Sequence, residues 1–269
     1  MSPSIYLTPT EVEAKRTEFL SLLDKNEKEQ IYQEYLEENT EFIPREFIQN
    51  HGLHLAMVFR KYPLSSDYKP DFLYLSKSSD NWNVVLIEIE KPSSKYFVGN
   101  TTDFHRDFIN AYQQMNDWRA WIDTPANLES LKQNSLSSVL VPSEMQRNPL
   151  NVKYLLVHGR RAEYENNELR KSKIRSMERE DFKIISYDNL VVNINDHKKL
   201  YVAKKTNNYI DILSKSYVDD GIFTWMTPTT YRINQSLHDD TEKNKHHSNS
   251  YIGYNVKAID HNLPKVTIY

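Results

Sequence analysis

The chain has 269 residues, 34 basic against 37 acidic side chains for a formal net charge of -3, and no cysteine. That length suits one medium domain with extensions, or one domain and a small subdomain, and the near-neutral balance does not suggest a general, strongly basic nucleic-acid binder while leaving room for local basic patches. Disulfides and thiolate metal sites are excluded, no apolar run approaches the ~20 residues of a membrane span, and Met1, Ser2, Pro3, Ser4, Ile5 and Tyr6 do not form a signal peptide, so a cytoplasmic protein is expected.

Thr8, Pro9, Thr10 and Glu11 predict a helix start ahead of Phe19, Leu20, Leu22 and Leu23. Ile31, Tyr35 and Leu36 predict a second helix, and a short third is expected from residue 44 to Gly52. From Leu53 the period changes. Residues 53–60, 72–75 and 82–89 read as three strands of an antiparallel meander, separated by turn-forming Ser, Asp, Asn and Pro. A long helix is predicted over 103–122, where Phe104, Phe108, Ala111, Met115, Trp118 and Ile122 recur at three or four residues, with a further helical piece at 127–133. Residues 152–157 form a continuous apolar run and predict a buried strand. A polar helix over 165–180 and a short strand over 183–187 follow. This order predicts an α/β fold, a mixed sheet with helices on both faces. Farther on, 209–217 reads as a helix, 221–233 as short and aromatic, and 238–250 as polar and mobile. His238, His246 and His247 lie in that polar stretch, where nothing indicates a rigid metal scaffold.

The chemistry concentrates at the end of one strand. Val84, Val85, Leu86 and Ile87 read as a buried central strand that runs into Glu88, Glu90 and Lys91, while Asp71, after Pro70, opens the strand before it. Charged side chains are almost never buried unless paired or holding a metal. A divalent cation is therefore one explanation for them, since magnesium takes carboxylate oxygens. Glu88 and Glu90 are two apart and face the same side of a regular strand, with Lys91 on the other. Arg160 and Arg161, after Gly159, suit bidentate phosphate binding and equally suit a solvated strand end. Arg170, Lys171, Lys173 and Arg175 form a basic helical stretch able to lie along DNA, although Glu178, Glu180 and Asp181 nearby favour a solvated face. Trp118 and Trp121 have the spacing of packing residues. With five glycines and no Gly-rich loop, a nucleotide-binding motif is not found.

The series Pro70, Asp71, then Glu88, Ile89, Glu90, Lys91, Pro92, then a long helix, resembles the PD-(D/E)XK nuclease superfamily, and more closely the nuclease-like domain of Shedu anti-phage defence proteins. Trp82, the run Ala111, Tyr112, Gln113, Gln114 with Asp117, Trp118 and Trp121, the run Val157, His158, Gly159, Arg160, Arg161, and the run from Ile185 to Leu190 add to the resemblance. It covers roughly 36–195 and implies a restriction-endonuclease-like sheet over 36–205, a helical lead-in over 1–35 and a C-terminal extension over 206–269. It further implies a magnesium-dependent (or manganese-dependent) DNA endonuclease that works as a homo-oligomer. Asp71, Glu88 and Glu90 would hold the metal, Lys91 would assist electrostatically, Gln114 would orient water or phosphate, and Arg160, Arg161, Lys173 and Arg175 would contact DNA. One position departs from the family pattern: the third motif position, usually lysine, is Glu90. The departure keeps a second reading open, a catalytically silent nuclease fold that binds nucleic acid or drives assembly.

Overall fold

The computed structural model describes residues 6–192 and 194–244. Thr8 starts α1 (Pro9–Leu23) through a capping box: its hydroxyl accepts from the Glu11 N–H, and the Glu11 carboxylate accepts from the Thr8 N–H at 2.8 Å. α2 (Glu29–Glu38) follows. The expected third helix does not form. One 3₁₀ turn, Thr40–Phe42, ends in an irregular segment whose amides cover the next strand pair: Gln49 N–H donates to Ser76 Oγ at 2.7 Å, and His51 N–H to the Lys77 carbonyl at 3.1 Å. Those long-range partners override the local helical spacing.

Three strands then form the expected meander, β1 (Leu53–Arg60), β2 (Phe72–Lys77) and β3 (Trp82–Ile89), each antiparallel to the next. From β3 the chain crosses through α3 (Arg106–Ile122) and α4 (Pro125–Ser130) to β4 (Leu150–Val157), which lies parallel to β3. α5 (Glu168–Met177) carries it to β5 (Phe182–Ile185), parallel to β4. β6 (Tyr201–Thr206) returns to the other side of the meander and pairs parallel with β1. Residues 209–217 are not a helix, because Tyr209–Ile212 forms β7, antiparallel to β6 across a tight link with Asn207 at φ +52. After α6 (Gly221–Trp225), β8 (Tyr231–Ile233) pairs parallel with β7 and α7 (Gln235–Asn244) ends the described chain. Residues 206–244 thus continue the same eight-stranded mixed sheet, in the order β5-β4-β3-β2-β1-β6-β7-β8. His246, His247 and the rest of the polar stretch past 244 lie outside the described residues.

Helices cover both faces, as the sequence predicts. On one, Phe108, Ala111, Met115 and Trp118 of α3 pack with Leu73, Leu75, Val84 and Leu86; on the other, Phe19, Tyr32 and Leu36 pack with Phe72, Tyr74, Val85 and Ile87. The alternation of Val84 and Leu86 against Val85 and Ile87 follows from the twofold period of a strand. A strand buried on both faces leaves no solvated side for polar residues, which explains its unbroken apolar run. Among the described residues no helix is long and apolar enough to cross a membrane.

Candidate active site

The β2–β3 register sets the site. Phe72 pairs with Ile87, so the next positions outward, Asp71 and Glu88, meet at the same end of the sheet. Asp71 is fully buried. Its Oδ2 accepts the Ile89 N–H at 2.9 Å, and its Oδ1 accepts from the Lys61 ammonium. Lys61, one residue past β1, is also tied through its backbone, whose N–H donates to the Asp71 carbonyl at 2.9 Å.

Glu88 is half-buried. Its Oε1 accepts from the side-chain amide of Gln114 on α3, while its Oε2 is buried and has no hydrogen-bond partner. Burial, then repulsion from Asp71, Glu90 and Glu29, raises its carboxyl well above the usual range, with Lys61 opposing. Glu90 continues the sheet pairing, its N–H donating to the Val157 carbonyl at 2.9 Å. Burial, with Glu29, Asp71 and Asp107 adding repulsion, pushes its carboxyl up to about 7. Glu29, the first residue of α2, is raised mainly by burial and next by Asp71. Lys91 is exposed and opens a turn, its carbonyl accepting the Ser94 N–H at 3.0 Å. With Glu90, Ser93, Ser94, Asp107 and Asn110 it lines a recess of about 210 Å³.

The structure therefore gathers Asp71, Glu88, Glu90 and Gln114 and leaves Lys91 at the rim. It does not close a three-acid cage. Among the described residues no three His, Cys, Asp or Glu side chains are placed to hold a metal ion. At Asp71 both oxygens are already engaged, by the Lys61 ammonium and the Ile89 N–H. Magnesium needs only one or two protein carboxylates, and the orphaned Glu88 Oε2 beside Asp71 is the feature that fits a cation.

Two residues of the cluster were not read from the sequence. Lys61 follows directly on β1, and its signal is the meander, which brings the end of β1 beside the start of β2. Glu29 is a first-turn acid of α2, a position that the helix dipole alone favours for a carboxylate.

The expected DNA-contacting residues divide. Arg160 is committed to protein partners, its Nε donating to Asp188 and its Nη1 to Asp24, both at 2.9 Å. Lys173 donates to the Thr102 carbonyl and lies 4.9 Å from the centre of the Phe104 ring. Both charges thus have partners within the fold. Arg161 and Arg175 are exposed, and with Lys171, Glu165 and Glu178 they line a separate cleft of about 450 Å³. His158 is fully buried and pushed down to about 4 by that burial. Gly159, at φ +52, brings its Cα hydrogens against the Ser94 carbonyl, where an added Cβ would sit 2.6 Å from that oxygen. The Val157 to Arg161 run thus packs against the turn that follows Glu90.

No curated protein matches the chain. The family model described as Shedu protein SduA, C-terminal, matches residues 26–191, from just before α2 to just past β5, and so includes every residue of the acid cluster. That match spans well over half of the chain and points to a role in anti-phage defence: the chain belongs to the Shedu SduA C-terminal family.

Proposed function

We propose that this chain is a metal-dependent DNA endonuclease of anti-phage defence, with a PD-(D/E)XK-type site at Asp71, Glu88 and Glu90. The observation that carries the reading is the half-buried Glu88, held on one oxygen by Gln114 and unpartnered on the other, beside the buried Asp71. A structural acid in an apolar strand would be expected to have both oxygens satisfied. A bound magnesium or manganese ion would polarise the phosphoryl oxygen and acidify a water.

The chain's own residues supply the rest. Gln114 holds one oxygen of the Glu88 carboxylate and leaves the other without a partner. The Ile89 N–H holds Asp71 in the orientation that presents it at the sheet end. Glu90, titrating near 7, suits removal of a proton from water at neutral pH, where a base is most effective with a matched pKa. Lys91, exposed at the rim of the recess, is placed to meet a phosphate electrostatically. DNA as substrate and assembly into a homo-oligomer belong to the same proposal.

The test is incubation of the purified chain with plasmid and linear DNA in magnesium, manganese or chelator, beside Glu88→Ala. Metal-dependent nicking or cutting is expected, with a loss of at least ~100-fold in the variant. Cutting retained by Glu88→Ala overturns the site assignment.

A second reading, a silent nuclease fold that binds nucleic acid, is favoured by two observations: Lys61 already neutralises Asp71, and the third motif position is Glu90. Its signature is DNA binding that weakens steeply with salt and no cleavage in any metal.

A further inference from the structure

Four acids, Glu29, Asp71, Glu88 and Glu90, share one end of the sheet and repel one another. The most buried of them, Asp71, has no exposed surface, and a buried carboxylate requires a counter-charge. The sequence offers Lys91 for that role, yet Lys91 is exposed. The ammonium on Asp71 comes instead from Lys61. Its side chain is 40% exposed, so it reaches the acid from the solvent side. Its backbone is fixed on the same residue and held at φ +44, a conformation rare outside glycine. Lys61 also attracts Glu88 and Glu29. An ammonium and a divalent cation on one carboxylate oxygen repel each other, so each weakens the other's hold.

We propose that Lys61 is the positioning residue and resident counter-ion of this site. Its ammonium holds Asp71 in place of a divalent cation, gives way when the cation arrives, and supplies the positive charge that position 90 lacks. The inference rests on the metal-site reading of the proposed function. Asp71 stays engaged until Lys61 leaves it.

The experiment compares the full chain with Lys61→Met, Lys61→Arg and Lys91→Met. Manganese binding is read from the loss of the free-ion electron paramagnetic resonance signal, and thermal unfolding is read in chelator and in manganese. Lys91→Met removes the same charge from the same cluster without touching Asp71. In chelator, Lys61→Met is expected to melt about 5 °C or more below the parent and to recover in manganese, since the cation then replaces the missing charge. Its manganese affinity should rise on the order of tenfold above both the parent and Lys91→Met. Lys61→Arg should keep the parent's melting temperature and weaker manganese binding. Should Lys61→Met not fold in chelator, the double variant with Asp71→Asn, which removes both charges together, is expected to fold and to bind manganese no more tightly than the parent.

Equal manganese affinity in Lys61→Met and Lys91→Met overturns the role of Lys61 and leaves the nuclease reading standing. Absence of manganese binding in the parent and every variant overturns the metal site itself and this inference with it.

Discussion

Replacing Glu90 by glutamine should stabilise the protein at high pH and do nothing for it in acid. The Glu90 carboxyl is pushed up to about 7 against an ordinary value of 4.5. By linkage the folded state binds a proton that the unfolded chain has already released across that interval. The contribution is fully present below 4.5 and is lost as pH rises through about 7. At full strength such a displacement corresponds to ~3 kcal/mol. Glu90 is only half-buried, so water screens part of the cost, and about 1–2 kcal/mol is the expected penalty above neutrality. Glutamine keeps the shape and removes the charge that Glu29, Asp71 and Asp107 repel. Urea unfolding in chelator at about pH 8 should place Glu90→Gln about 1–2 kcal/mol above the parent, with the gap closing by about pH 4.5. A variant less stable than the parent at the higher pH, or a gap that does not change with pH, would show that Glu90 is not held in an acid cluster.

The same logic applies at Glu88, whose carboxyl burial raises well above its usual range: Glu88→Gln should also gain stability above neutrality while losing cleavage, and a loss of both would make Glu88 a structural acid. Asp71→Ala leaves the Ile89 N–H without its acceptor and strips Lys61 of its partner, so a loss of about 2–4 kcal/mol is expected by denaturant titration; a loss under ~1 kcal/mol contradicts the contacts described. Gly159→Ala forces a Cβ against the Ser94 carbonyl at a positive φ and should cost more than about 2 kcal/mol by the same titration. His158 is pushed down to about 4 from 6.5, so as pH falls below 6.5 the unfolded chain takes the proton first and stability is lost. Subtracting the unfolding free energy of His158→Gln from that of the parent should isolate this slope, and a flat difference would place His158 in contact with water.

Much of the fold was legible because its signals are local and periodic. The threonine and glutamate of α1, the three-and-four spacing of α3 and the two-sided apolar run of β3 each name their element without tertiary information. Where the reading went wrong, distant partners decided. The segment before Gly52 has helical spacing, yet its amides bond to Ser76 and Lys77 of β2. Tyr209–Ile212 is short and its alternation modest, but pairing with β6 fixes it as a strand. The signal that could have found it is the Asn207, Asn208 pair between two β-prone runs, a hairpin link that favours residues tolerant of positive φ.

The candidate site was legible to the extent that its residues lie on one strand pair. Asp71, Glu88 and Glu90 lie together by strand period and register, and Gln114 came only from the family resemblance. Lys61 and Glu29 come from elements that only the folded sheet brings near. Lys61 is ten residues from Asp71 along the chain, yet two hydrogen bonds join them. Its arrival changes the meaning of the glutamate at position 90. With a lysine at 90, the cation of the site would lie on the same strand as Glu88 and would compete with nothing. With Glu90 there, the cluster carries an extra negative charge, and a single ammonium on its most buried acid offsets it. Such a cluster stays marginally unfavourable at neutral pH, which is the cost an acid-rich site bears when its geometry serves a cation or a proton rather than stability. The stability gained by Glu90→Gln and the manganese response of Lys61→Met measure that same imbalance from its two sides.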